Sequence, residues 1–274
     1  MTAVLLALLS AALFGGMTVG LRLALARVDA GAATVATVLV AFAVTAVGAA
    51  VRADVHGAWP FLLAGLIAPG GSQILFTLAV REVGASRTSV TVGAGPLVAV
   101  TIAILFLHEP LRPALLAGAV AIVAGGALLA VERRRPEHLR ALGLLFAAAA
   151  TIFFATRDNL VRDLHAQSNP ETEAAATLLA GALVAALWAR RLPRPREVAQ
   201  LVPAGVCFGL SYLCLFEAYY RGRVTVVSPL VGTESLWGVG LSALAFRRTE
   251  GVGRRLAAGA LLVVAGGALI GATR

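Results

Sequence analysis

Charge is what this chain has least of. Only 14% of its 274 residues are charged, where an average soluble domain carries about 25%. Lysine is absent: all 23 basic residues are arginine, which we read as base-composition bias rather than chemistry. Long polar stretches are missing too, the two longest being 132–140 and 157–173. These absences exclude an aqueous domain or a flexible linker. Cysteine is limited to Cys207 and Cys214, which are two helical turns and roughly 10 Å apart, too far for a disulfide. They read as buried thiols. His56, His108, His138 and His165 lie in or beside loops without ligand spacing, so no metal site is expected. No phosphate-binding loop, nucleophile elbow or catalytic carboxylate pair is present. That leaves no cofactor to expect, no nucleotide-driven pump and no enzyme.

The formal charge of +9 does not indicate a nucleic-acid partner, because the arginines sit at the ends of apolar runs, where membrane proteins keep topogenic charge. Ten such runs read as membrane helices: 2–21, 31–51, 59–80, 88–107, 113–131, 141–156, 174–189, 198–216, 224–246 and 256–273. The sixth and seventh are short and are expected to extend into flanking residues. The first lacks a basic n-region and is too long for a signal peptide, so it counts as a mature helix. Only helices or a closed barrel satisfy backbone polar groups in lipid, and no run shows two-residue alternation. The fold class is therefore all-α, an integral membrane protein of ten transmembrane helices.

A repeat is visible. Residues 117–130 and 258–271 share nine of fourteen positions at an offset of 141, with Glu109 and Glu250 in the same register. Arg22 and Arg27 match Arg157 and Arg162 at 135, Arg81 matches Arg221 at 140, and Pro96-Leu97-Val98 recurs as Pro229-Leu230-Val231 at 133. The last offset implies extra residues in the fourth helix of the second copy. Several matches in one order indicate duplication. Five helices per half is an odd number, so the second half enters the membrane the other way up. The expected organisation is two inverted five-helix repeats, 1–131 and 138–273, with a solute site near mid-membrane where they meet.

The pattern of Pro, apolar helix, acidic residue and Gly-rich helix over 96–130 and again over 229–271 resembles the drug/metabolite transporter superfamily, in its EamA-like branch. The resemblance spans essentially the whole chain. It implies export or exchange of a small metabolite, amino acid or drug through a central cavity. The family usually has Gly before the acidic residue that ends each fourth helix, whereas this chain has His108 before Glu109 and Thr249 before Glu250.

Glu234 is the sharpest candidate. It lies mid-run, where a charged side chain costs roughly 2.5–3.5 kcal/mol on insertion scales. It must face protein or water, and reads as a proton-coupling group or an anchor for a cationic group. Arg157, Asp158 and Asn159 close the sixth run. Adjacent Arg and Asp point about 100° apart on a helix, so they are expected to pair with neighbouring helices. Gln73 follows Pro69-Gly70-Gly71, which should kink or break the third helix and free carbonyls to line a cavity. Tyr212, Glu217, Tyr219 and Trp237 are candidates for a polar and aromatic wall, with Tyr219 and Tyr220 better read as an interfacial belt. Gly15-Gly16, Gly118 with Gly125, and Gly259 with Gly266 read as packing seams.

The partners expected are a small solute and the lipid bilayer of the plasma (inner) membrane. A membrane-embedded enzyme would need clustered chemistry that is not visible, and a non-transporting scaffold would have no use for a mid-membrane Glu. Odd-numbered loops hold 16 of the 23 arginines. The positive-inside rule then places those loops in the cytoplasm and both termini outside, whereas the resemblance implies cytoplasmic termini. The charge count predicts that a reporter active only in the cytoplasm is silent when fused after Arg274; activity there reverses the topology.

Overall fold

The structure is a computed structural model that describes residues 1–52, 54–110, 112–130, 141–245 and 254–273. Those residues form ten spans: α1 (Thr2–Ala24), α2 (Ala30–Arg52), α3 (Trp59–Val83), α4 (Ala85–Phe106), α5 (Pro113–Ala130), α6 (Ala141–Leu164), α7 (Pro170–Trp188), α8 (Pro195–Arg221), α9 (Val224–Ala245) and α10 (Arg254–Thr273). Eight are long and apolar enough to cross a bilayer, while α5 and α10 carry the shorter apolar stretches Pro113–Leu128 and Leu261–Ile270. Among the described residues there is no strand. The polar segment 132–140, Thr249 and Glu250 lie outside the described residues.

Local chemistry sets the helix starts. The Asp29 carboxylate accepts the backbone N–H groups of Gly31 (2.9 Å) and Ala32 (3.2 Å) at the head of α2. The Asn169 side chain does the same for Thr172 (2.9 Å) before Pro170 opens α7. Such caps satisfy donors that lipid cannot. They carry α7 one turn upstream of its apolar run, and α6 continues past its own run to Leu164. Arg157, Asp158 and Asn159 are therefore inside α6 rather than closing it.

Three of the described spans are broken. In α3 the helix gives way at Ala68 (φ −144°, ψ 119°) just before Pro69, whose ring and missing N–H disrupt the preceding turn. In α4 the break falls at Gly93-Ala94, and in α9 at Gly232-Thr233. The latter two cross at their breaks: a Cβ on Gly93 would lie 3.2 Å from the Gly232 carbonyl oxygen, and one on Gly232 only 3.1 Å from that of Gly93. Neither of these breaks was expected.

The inverted arrangement is legible in the α5–α10 seam. A Cβ on Gly118 would lie 2.9 Å from the Gly266 carbonyl oxygen, and one on Gly125 would lie 2.6 Å from that of Gly259. Low numbers meet high ones, so the helices are antiparallel. Since Gly118 corresponds to Gly259 and Gly125 to Gly266, exchanging the repeats maps the seam onto itself. Only a two-fold axis across the helices, in the membrane plane, does this. The other pairings obey the same exchange. α1 packs on α8 as α6 packs on α3, α2 on α8 as α7 on α3, and α1 on α9 as α6 on α4, while α2 meets α7 and α4 meets α9.

This symmetry corrects three alignments. Arg22 donates to the carbonyls of Val80 (3.2 Å) and Arg81 (3.3 Å) at the end of α3, and Arg162 donates to those of Tyr219 (2.9 Å) and Tyr220 (3.5 Å) at the end of α8. Arg22 thus corresponds to Arg162 at an offset of 140, and Arg157 has Met17 as its counterpart. The fourth spans, α4 and α9, are both 22 residues long and break at the same place, an offset of 139. There is no insertion in α9, and Pro96 and Pro229 lie on opposite sides of their breaks. The same carbonyl pairs set Arg81 against Tyr220 at 139, so its match with Arg221 is one residue out of register. Chance recurrence in low-complexity sequence produced these false registers.

Glu109 accepts the backbone N–H groups of Val224 and Thr225, each at 2.9 Å, and so caps α9 from the other repeat. His108, where the family pattern has glycine, has φ 52°, the left-handed conformation that glycine adopts without strain.

Overpacking the seam is expected to destabilise it by about 1–3 kcal/mol. Gly125→Ala should lower the thermal midpoint of purified protein by several degrees, while Gly240→Ala, where an added Cβ meets nothing within 4 Å, should leave it unchanged.

Candidate functional site

The breaks of α4 and α9, where these two spans cross, lie beside an open space near the two-fold axis. A cavity opens there, walled by α1, α4, α6, α8 and α9. Its floor is aromatic, with Phe14 and Phe154, equivalent residues of the two repeats, stacked edge to face at 5.9 Å. Its sides are polar. Ser10 and Ser211 exchange hydrogen bonds, each hydroxyl reaching the other's carbonyl at 3.0 Å, and they pin α1 to α8 along the wall.

The charged wall comes from α6. The Arg157 guanidinium is bonded through Nε and Nη2 to Asp158 Oδ1, both at 2.8 Å, and lies over the Tyr212 ring at 4.7 Å. Phe154 and Phe216 flank it at 5.6 and 5.7 Å. Tyr219 donates its hydroxyl to Asp158 Oδ2 at 2.8 Å. Asp158 is thereby satisfied by a cation and a phenol, and the cation by a carboxylate and three ring faces, as burial of a charge requires. Nη1 of Arg157 remains without a partner.

Arg157 and Asp158 do contact a neighbouring helix, through Tyr212 and Tyr219 of α8, but the expectation that they do not also pair with each other is overturned. Their Cβ vectors diverge, but the arginine stem is long enough to bring its fork back to the adjacent carboxylate. Tyr219 is likewise not interfacial: it is completely buried, whereas Tyr220 is 43% exposed.

Glu234 also lines the cavity, as the first residue of the second half of α9. It is 4% exposed, its Oε1 has no hydrogen-bond partner, and no ion pair reaches it among the described residues. The half-helix N-terminus behind it supplies a favourable dipole. Arg157 and Asp158 offset one another, which leaves Glu234 as the cavity carboxylate without a cation.

The remaining sequence candidates fall elsewhere. Asn159 donates to the carbonyls of Ala99 (3.1 Å) and Ala155 (2.9 Å), tying α6 to α4 rather than facing the cavity. Trp237 is 43% exposed, and its Cβ would clash with one on Gly15 at 2.7 Å; it belongs to the packing of α9 on α1 and not to the cavity wall. Glu217 pairs with Arg221 near the end of α8, outside the cavity. Pro69, Gly70 and Gly71 break α3 but pack against Gly181, Val184 and Phe153, so small size there serves helix contact, not an open carbonyl lining. Gln73 is fully buried with both amide atoms unpartnered and does not line the cavity. Of the predicted set, the cavity brings together Glu234, Arg157, Asp158 and Tyr212.

Sequence reasoning missed Ser10, Ser211, Ser228 and the Phe14–Phe154 pair, whose types are ordinary in apolar helices. It also missed the α4 break, which Gly93-Ala94-Gly95-Pro96 does announce.

An inverted-repeat bundle around a central cavity that holds charged groups is an architecture of membrane transporters. The sequence profile of the EamA-like transporter family matches residues 1–131 and 141–272, and the chain belongs to that family, a branch of the drug/metabolite transporter superfamily. A solved crystal structure shares the fold, with 22% identity and a TM-score of 0.81 over 99% of this chain and 96% of its own. No curated protein matches the chain.

Removing one partner of the buried pair should cost about 3–5 kcal/mol, because a buried charge is stranded. Thermal unfolding is expected to rank Asp158→Ala well below the double replacement Arg157→Met with Asp158→Leu. Equal losses would mean that the pair is not desolvated.

Proposed function

We propose that this protein is a secondary carrier that exports a small amine-bearing solute, a metabolite, amino acid or drug, through the central cavity without altering it chemically. The observation that carries this reading is Glu234, a buried carboxylate on the cavity wall with no cation paired to it among the described residues. An ionisable group at membrane depth is by default a functional one, and this one is complementary to an ammonium group or a proton. Arg157, with Nη1 unpartnered on the same wall, suits a carboxylate or another acceptor on the same solute, and the Tyr212, Phe14 and Phe154 rings suit its apolar part. Glu234 is the coupling group: it holds either the proton or the solute's cation, so one is exchanged for the other.

The export direction follows the family resemblance, and the orientation, with both termini outside the cytoplasm, follows the arginine distribution; the membrane proposed is the plasma membrane. Gln73, Asn159 and Trp237 lie outside this cavity and take no part in solute contact there. A membrane-embedded enzyme is the less favoured reading, since the cavity groups include no nucleophile placed beside a base.

Flux in proteoliposomes tests the proposal. The wild type should move labelled amine-bearing solutes unchanged and respond to an imposed pH gradient. Glu234→Gln keeps the shape of the side chain but cannot exchange a proton, and its flux should lose the response to pH. A Gln variant with undiminished, equally pH-dependent flux would refute the coupling role.

A further inference from the structure

The two-fold axis also constrains residues that the cavity does not contain. At the offset of 139 that relates the ends of α3 and α8, the three α8 residues on the cavity wall, Ser211, Tyr212 and Leu215, correspond to Ser72, Gln73 and Phe76 of α3. The α9 wall residues Val231 and Glu234 correspond to Val92 and Gly95, and those two line the cavity already. The α1 and α6 floor residues Phe14 and Phe154 are each other's equivalents and both line it. By whole spans α3 is the exception: α1 and α6 both contribute to the wall, as do α4 and α9, whereas α8 contributes these three residues and its image α3 contributes none.

What seals the α3 triplet is aromatic. Phe76 packs edge to face on Phe14 at 5.2 Å and on Phe154 at 6.2 Å, and Phe208 closes on Phe14 at 5.9 Å. Beside this plug, Ser72 Oγ, Gln73 Oε1 and Nε2 and Thr77 Oγ1 are all buried without a partner. Five buried threonine hydroxyls in these helices, those of Thr18, Thr34, Thr37, Thr151 and Thr177, return to the carbonyl one turn back. Thr77 does not, although the Gln73 carbonyl is one turn behind it. Four unpartnered polar atoms in six residues are costly in hydrocarbon, and a second conformation in which they meet water or solute accounts for them.

We infer that Ser72, Gln73 and Thr77 form a second solute-binding half-site, exposed when the carrier opens toward the opposite face of the membrane, and that the Phe14–Phe76–Phe154–Phe208 cluster is the barrier parted in that transition. This rests on the reading of the central cavity as the solute path. The half-site differs in chemistry from the one that is open. Arg157 and Asp158 have Met17 and Thr18 as their counterparts at an offset of 140, so on that side the solute meets amide and hydroxyl groups and no ion pair. Its ligand class is the neutral hydrogen-bonding part of the solute, with Glu234, close to the axis, the one charge common to both states.

Single-cysteine labelling decides the matter. In a background with Cys207→Ser and Cys214→Ser, the reporters Ser211→Cys, Ser72→Cys and Thr77→Cys are exposed in oriented membrane vesicles to a membrane-impermeant, charged methanethiosulfonate applied to one face at a time. Ser211→Cys should react from the face that carries the N-terminus. Ser72→Cys and Thr77→Cys should react only from the other face, and adding Phe76→Leu, which keeps bulk but loses both ring contacts, should speed them about tenfold. If Ser211→Cys reacts while both α3 reporters are inert from either face, or react from the same face as Ser211→Cys, the half-site is wrong and the cavity reading stands. If Ser211→Cys itself is inert from both faces, the solute path is wrong and the half-site falls with it. Should Ser72→Cys unfold, the labelling of Thr77→Cys distinguishes the same outcomes alone.

Discussion

Hydrocarbon offers a carboxylate no partner and no water, and that constraint organises the molecule. Arg157, Asp158 and Glu234 lie within spans that must cross it, and each is buried inward. Facing them inward requires helices that surround a polar centre. It also requires a way of stabilising each charge there: a carboxylate, a phenol and ring faces for the α6 pair, and a half-helix N-terminus for Glu234. The small residues that let α5 meet α10 and α4 meet α9 at backbone distance serve the same end, because close contact on the axis draws the remaining helices around the cavity.

The two repeats share a frame but not a chemistry. Arginine caps on α3 and α8, side-chain caps on α2 and α7, and glycine breaks in α4 and α9 recur in both halves, as expected of features that satisfy backbone in lipid. The charges do not recur: Arg157, Asp158 and Glu234 correspond to Met17, Thr18 and Gly95. Duplication therefore supplied the scaffold twice, while the ionisable wall belongs to the second copy alone. A symmetric pair of such walls would put four carboxylates and two arginines around one small cavity, with desolvation to offset at each.

Much of this was readable from the chain. Ten apolar runs and an odd count per repeat sufficed for fold class and inversion, and the acidic residue at mid-span, Glu234, does line the cavity. The register of the repeat was not readable where it mattered. Ala-, Leu- and Val-rich helices match one another at many offsets, so Arg22 was aligned with Arg157 when its role is that of Arg162. Gln73 and Trp237 show the same limit at the site. Both have the right polarity and depth, but a helix surface has all directions open to it, and period alone does not say which faces the axis.

By itself the sequence determined where the chain crosses the membrane, that it does so as two related halves of opposite sense, and that an acidic group is buried between them. These follow from hydropathy, parity and the price of charge in lipid, all of which are local or additive along the chain. Only the tertiary structure decided which side chains share the cavity, that Arg157 folds back on Asp158 under Tyr212 and Tyr219, and that an aromatic plug shuts the α3 face. Those depend on helix rotation and on contacts between residues as far apart as Ser10 and Ser211, which packing settles and linear order does not encode.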